Sequence, residues 1–217
     1  NGLVFQNDYL SELVRAYNTL SFFGMHGSYY TISELTTDEM VIPTRGVDWS
    51  DGGVHIRLHR HEYLPGDSYL NATWQSLFGG ILQCNRQLFQ YSKITSPGTE
   101  QYVAELKVLR AWYYYLLLDT FGSVPLVVDY FPASPDLPAN NTKQEIFDFI
   151  EAEIVGSIPD LSAAPVYGRF NQSAAKAILA KLYLNANTYI GSDMFTEAES
   201  ECDDIIGGIL ALFERGR

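Results

Sequence analysis

Apolar residues recur at helical spacing through most of the chain. Tyr9, Leu10, Leu13, Val14, Tyr17 and Leu20 share one face and predict a first helix over 7–24, ended by Gly24 and Gly27. Leu70, Trp74, Leu77, Phe78, Ile81, Leu82 and Leu88 predict a long second helix over 67–91, broken at Ser96-Pro97-Gly98. Tyr102, Leu106, Leu109, Tyr113 and Leu116 predict a third, widened by Trp112 and Leu117. Register puts Trp74 and Tyr113 in the core. The Pro-Gly break joins the second and third helices as a helical hairpin. The third helix carries four consecutive aromatics, Trp112 to Tyr115, and stops where Gly122 can turn left-handed and Pro125 cannot continue. Val124, preceding proline, is pushed toward extended geometry, so Leu126-Val127-Val128 is expected to leave as a short strand.

Downstream, Pro132, Pro135 and Pro138 mark a surface loop. Thr142-Lys143-Gln144-Glu145 forms a capping box and opens a helix through Ile146, Phe149, Ile150, Glu153 and Ile154, ended by Pro159. Asn171 is an N-cap for a helix through Ala174, Ala175, Ile178, Leu179, Leu182, Tyr183 and Ala186. Residues 187–193 read as a loop, and 195–206 as a last helix. Ala180 and Tyr183, then Phe195, Ala198, Cys202 and Ile205, follow the order of a tetratricopeptide repeat. Three successive hairpins predict a mainly α fold of tetratricopeptide-like repeats, 1–217 forming a single region. The exception is 29–67, punctuated by Pro43, Gly46, Gly52, Gly53, Pro65 and Gly66, with a second capping-box pattern at Thr36-Thr37-Asp38-Glu39. A long irregular excursion with short extended pieces inside a compact fold is usually functional.

Composition narrows the partners. Hydrophobic residues make up 47% and charged ones 18% of 217, as in a folded domain. The formal charge of −12 repels phosphate backbones and anionic lipid, so nucleic acid is not expected as a partner, and a neutral ligand fits better. No window approaches the roughly 20 apolar residues of a membrane span. No basic-then-apolar leader is read at Asn1. Cys84 and Cys202 are expected to be free buried thiols.

The segment Glu105-Leu106-Lys107-Val108-Leu109-Arg110-Ala111-Trp112-Tyr113-Tyr114, followed by Phe121-Gly122 and Val124-Pro125-Leu126, resembles the signature of the SusD-like (SusD/RagB) family. Thr37-Asp38-Glu39, Trp49 with Asp51-Gly52, Trp74, Ile81 and Cys84-Asn85 stand upstream in matching order. Ile146-Phe147-Asp148-Phe149-Ile150-Glu151, Gly168-Arg169-Phe170-Asn171 and Ala174-Ala175-Lys176-Ala177 with Leu179-Ala180 stand downstream. The resemblance implies a Bacteroidetes lipoprotein at the outer-membrane cell surface, which binds glycans and hands them to a SusC-like TonB-dependent transporter for nutrient uptake. It implies no enzyme activity and no cofactor, and membrane contact only through an N-terminal lipid anchor that this sequence does not contain. Family members are longer, so the sequence looks like an N-terminal half. An array ending on Ile205, Ile206, Ile209, Leu210, Leu212 and Phe213 is expected to associate unless the rest is supplied.

Sugar rings present apolar C–H faces and a rim of hydroxyls, so a glycan site needs a flat aromatic and planar polar groups. The excursion supplies them: Trp49 between Asp48 and Asp51, with Arg45 and His55 nearby, and Asp38 as a further candidate. The competing reading makes Trp49 a gap filler and the chain a protein-interaction scaffold without a small ligand. Exposure of Trp49 and Arg45 discriminates the two. His55, His59 and His61 share a face on either helix or strand, but no closed ligand set accompanies them. They read as polar histidines on an exposed hairpin, and no metal is assigned. Carboxylate pairs for glycoside hydrolysis are available anywhere among 26 acidic residues and therefore carry no signal. Nucleophile-elbow, phosphate-loop, dinucleotide and zinc-protease motifs do not occur.

Overall fold

The computed structural model describes residues 9–93, 98–131 and 137–215, with side chains described from 10 to 208. Nine α-helices and no strand occur among the described residues. Contacts divide the chain into two compact units. One holds the residues up to Ala16 together with those from Gly80 onward, and the other holds Tyr17–Gly79.

The larger unit contains α1 (Tyr9–Tyr17) up to Ala16, the second half of α4 (Ser68–Tyr91), α5 (Glu100–Phe121), α6 (Lys143–Ser157), α7 (Gln172–Leu184), α8 (Ala186–Ile190) and α9 (Phe195–Arg215). Helix α5 packs against α6, and α7 against α9. The antiparallel hairpin of α4 and α5 is held by Tyr91 stacked on Tyr102, with centroids 6.3 Å apart. Gly80 of α4 gives the flat surface that Tyr113 of α5 lies against. The middle of helix α5 is buried on most sides by its neighbours: Leu106, Leu109, Tyr113, Tyr114 and Leu117 have no exposed surface. Two of its charged residues, Glu105 and Arg110, are buried too. Arg110 donates from Nε and Nη2 to Glu153 of α6 at 2.9 and 2.7 Å and from Nη1 to Asn85 of α4 at 2.7 Å. Glu105, fully buried, takes an ion pair from Arg169. Such pairs hold partners in register, because removing one leaves a buried charge at a cost of about 3–5 kcal/mol.

The Thr142 capping box forms as the sequence predicts, with Glu145 bonding back to the cap, and Asn171 accepts from Ala174 N. Helix α5 ends at Gly122, φ +74°. The expected strand after it is not one. The segment 124–128 forms no regular element. Side chains replace the ladder: Tyr114 Oη donates to Val127 O and accepts from Val127 N, Asn85 donates to Val127 O, and Leu126 N donates to Asn141.

Other expectations shift. The first helix turns 3₁₀ over Asn18–Gly24, and the loop expected over 187–193 contains α8. The last helix continues well beyond 206. Trp74 is half-buried rather than core, lying 4.7 Å from Phe78. Both cysteines are free, but only Cys84 is buried, its thiol pushed up by burial; Cys202 is exposed, on the outward face of α9. The break at 96–98 falls mostly, and the apolar cluster at 209–213 wholly, outside the described residues or side chains.

The smaller unit contains the predicted excursion over 29–67, which is more helical than its punctuation suggests. It contains α2 (Tyr29–Leu35) and α3 (Val54–His59) beside the first half of α4. Ile32, Leu35, Val54 and Leu58 make its core, with Met40, Ile42, Tyr69 and Leu70 packed around them. Arg57 and the buried Asp67 form an ion pair, and Asp67 also accepts from Leu64 N at 2.9 Å.

Candidate functional site

The loop between α2 and α3 is built on a tight turn. Arg45 and Asp48 exchange both backbone hydrogen bonds, at 3.1 and 3.0 Å, and Gly46 supplies the positive φ of +65° at the first corner. The chain then runs through four left-handed residues in five: Trp49, Asp51, Gly52 and Gly53. Trp49 at +58° and Asp51 at +35° are non-glycine residues in this region, each costing on the order of 1–3 kcal/mol. Their surroundings hold them there. His55 donates from Nδ1 to Trp49 O at 3.2 Å; the acceptor is a carbonyl, so Nδ1 carries the proton. Arg57 donates to Gly52 O at 2.7 Å. The His26 ring meets the Trp49 indole edge-on, 5.2 Å between centroids.

Trp49, Arg45 and Asp48 line one cleft of about 450 Å³ with His26, Val41, Ile42 and Pro43. Trp49 is 52% exposed, so the indole faces solvent while its backbone is fixed. Three of the six sequence candidates therefore meet. The other three divide. Asp51 and His55 do not line the cleft; their side chains lie 3.5 Å apart, and both meet the Tyr69 hydroxyl. Asp38 is exposed in the turn after α2 and does not line the cleft.

The histidine reading is corrected. His55 is 2% exposed and lies on α3, not on a hairpin; burial of Val54 and Leu58 on the same helix carries it inward. His59 is exposed, and His61 is tied to Thr36 O at 2.7 Å. The group that meets His55 is distant in sequence. His26 Nε2, His55 Nε2 and Asp51 Oδ2 lie within 4.8 Å of one another, letting these three residues converge on a metal ion. Tyr69 of α4 sends its hydroxyl to the same point: 2.6 Å from His26 Nε2, 2.9 Å from His55 Nε2 and 3.2 Å from Asp51 Oδ2. Burial first, then the Asp51 carboxylate, pushes the Tyr69 hydroxyl up to about 12. Gly27, at φ +74°, admits the Tyr69 ring; a Cβ there would lie 2.8 Å from it. His26 and Tyr69 were invisible to spacing, since 43 residues separate them. The one local signal was His26-Gly27 at a helix break.

Residues 27–184 match a family of SusD-like proteins described as "Starch-binding associating with outer membrane". The chain belongs to this SusD-like family. It is similar to the starch-binding protein SusD of Bacteroides thetaiotaomicron, 28% identical over 192 residues, which cover 87% of this chain and 33% of that protein. A solved laminarin-binding SusD-like protein superposes with a TM-score of 0.77 at 21% identity, covering 93% of this chain and 43% of its own. A structure described with a xylogluco-oligosaccharide gives 0.76 at 20% identity, covering 91% and 40%. The chain thus spans about a third of the length of this curated relative. The mainly helical, tetratricopeptide-like architecture is that of SusD-like proteins. No helix among the described residues is long and apolar enough to cross a membrane.

Proposed function

We propose that this SusD-like chain contributes to capture of a neutral oligosaccharide at the cell surface, with the Trp49 cleft as a contact for the sugar. The observation that carries the reading is the state of Trp49: half-exposed on a backbone pinned at positive φ, with Arg45 and Asp48 in the same cleft. A rigid, solvent-facing indole stacks on a sugar without first losing conformational freedom. Arg45 donates, and Asp48 accepts, at the hydroxyl rim. Exposure of both Trp49 and Arg45 favours this over an interaction scaffold in which they would be packed away. Delivery of the captured glycan to a TonB-dependent transporter and anchoring by a lipid belong to the same proposal, with the match to an outer-membrane starch-binding family as their support. Capture requires no bond making, in keeping with a family described as starch-binding.

Calorimetry of the intact protein against a panel of neutral oligosaccharides tests it. Trp49→Ala is expected to weaken binding by about 1–3 kcal/mol, roughly 5- to 150-fold. Binding undiminished by that change removes Trp49 from the site, and no binding to any glycan overturns the function.

A further inference from the structure

We propose that His26, His55 and Asp51, with the Tyr69 hydroxyl oxygen in the fourth position, form a zinc site that locks the Trp49 loop. The geometry is the first support. Five of the six distances among the four ligand atoms are 2.6, 2.9, 3.2, 3.5 and 3.7 Å. A tetrahedron with metal–ligand bonds of about 2.0 Å has edges of about 3.3 Å. The spread brackets that value, and side-chain adjustments of about half an ångström bring all four atoms onto one ion.

The second support is the orientation of His55. Its Nδ1 proton is committed to Trp49 O, so Nε2 presents its lone pair to the cluster. A metal-binding imidazole is held in this way, its other nitrogen donating to a carbonyl. Buried to 1% side-chain exposure, His55 cannot turn this lone pair to water. The Asp51 carboxylate is likewise an acceptor, and the single phenolic proton of Tyr69 serves one acceptor at a time. A cation serves every one of them together.

Two imidazoles and one carboxylate suit zinc or a similar divalent transition ion. Calcium and magnesium prefer all-oxygen shells and higher coordination numbers. The ligands come from four places in the smaller unit: the break before α2, the loop before α3, α3 itself and α4. One ion would therefore cross-link all four and fix the strained backbone between Trp49 and Gly53. Zinc binding does not depend on the glycan reading, and either can fail alone.

The test uses the whole chain, stripped with chelator and titrated with Zn²⁺ by calorimetry, with Ca²⁺ and Mg²⁺ in parallel. One zinc per chain and no heat from the other two ions are expected. Cobalt substitution is expected to give the intense visible absorption of a tetrahedral site. His26 and Asp51 have half-exposed side chains, so His26→Ala and Asp51→Asn test ligation without opening the core; each is expected to weaken zinc by about 100-fold or more. His59→Ala is expected to leave it unchanged. No zinc binding, a six-coordinate cobalt spectrum, binding that survives both ligand changes, or binding lost with His59 would each overturn the site.

Discussion

Asp67 shows at the scale of one residue how a buried carboxylate is kept charged. Burial alone would push its carboxyl up, but the Arg57 guanidinium and the Leu64 N–H outweigh burial and hold it below the usual aspartate value. A carboxyl depressed in the folded state stabilises above its unfolded pKa, and that stabilisation is lost as pH falls through the folded one. Asp67→Asn is therefore expected to unfold at lower urea near neutrality. The gap from the parent stays constant down to about pH 5 and closes as pH drops below about 4. Urea midpoints across that range check it. A gap that persists at low pH would assign the loss to packing rather than charge. The pair matters for the loop as well, because the same Arg57 donates to Gly52 O.

At the scale of the element, α4 contains two adjacent glycines with opposite roles. A Cβ on Gly79 meets nothing within 4 Å, while one on Gly80 would lie 2.6 Å from the Tyr113 ring. That ring cannot retreat: it is fully buried, and its hydroxyl donates to Ala16 O at 2.8 Å. Gly79→Ala is expected to stabilise by about 0.5–1 kcal/mol, since alanine loses less backbone freedom in a helix. Gly80→Ala is expected to cost about 1–3 kcal/mol through overpacking. Thermal unfolding of the two variants gives shifts of opposite sign, and equal shifts would mean that Tyr113 is not fixed. Either glycine alone would permit close helix packing, yet only Gly80 is used for it. Spacing cannot tell which, because the partner helix sets the direction of approach.

At the scale of the whole 217-residue chain, the formal charge of −12 bears on which glycans the proposed contact would accept. Neutral oligosaccharides feel little of this field, so their affinity is expected to change less than about twofold between about 50 and 500 mM salt. Sulfated or uronate-rich chains are repelled, and any binding they show is expected to strengthen with salt as the repulsion is screened. Calorimetry at several ionic strengths distinguishes the two. Affinity for a neutral glycan that collapses with salt would point instead to an ion-paired ligand.

Helical periodicity determined α4, α5, α6 and α7, and local chemistry determined their caps at Thr142 and Asn171 and the stop at Gly122. These are short-range properties, written within a turn or two of chain. The order of small motifs along the chain was also enough for the family resemblance. The sequence could place Trp49, Arg45 and Asp48 together, because they are neighbours across one tight turn. It could not show that 124–128 would rest on Tyr114 and asparagine side chains instead of a strand. Nor could it show that His55 would turn inward to meet His26 and Tyr69. Those depend on which helix faces are brought together, and only the packing of α3 and α4 on the break before α2 decides it.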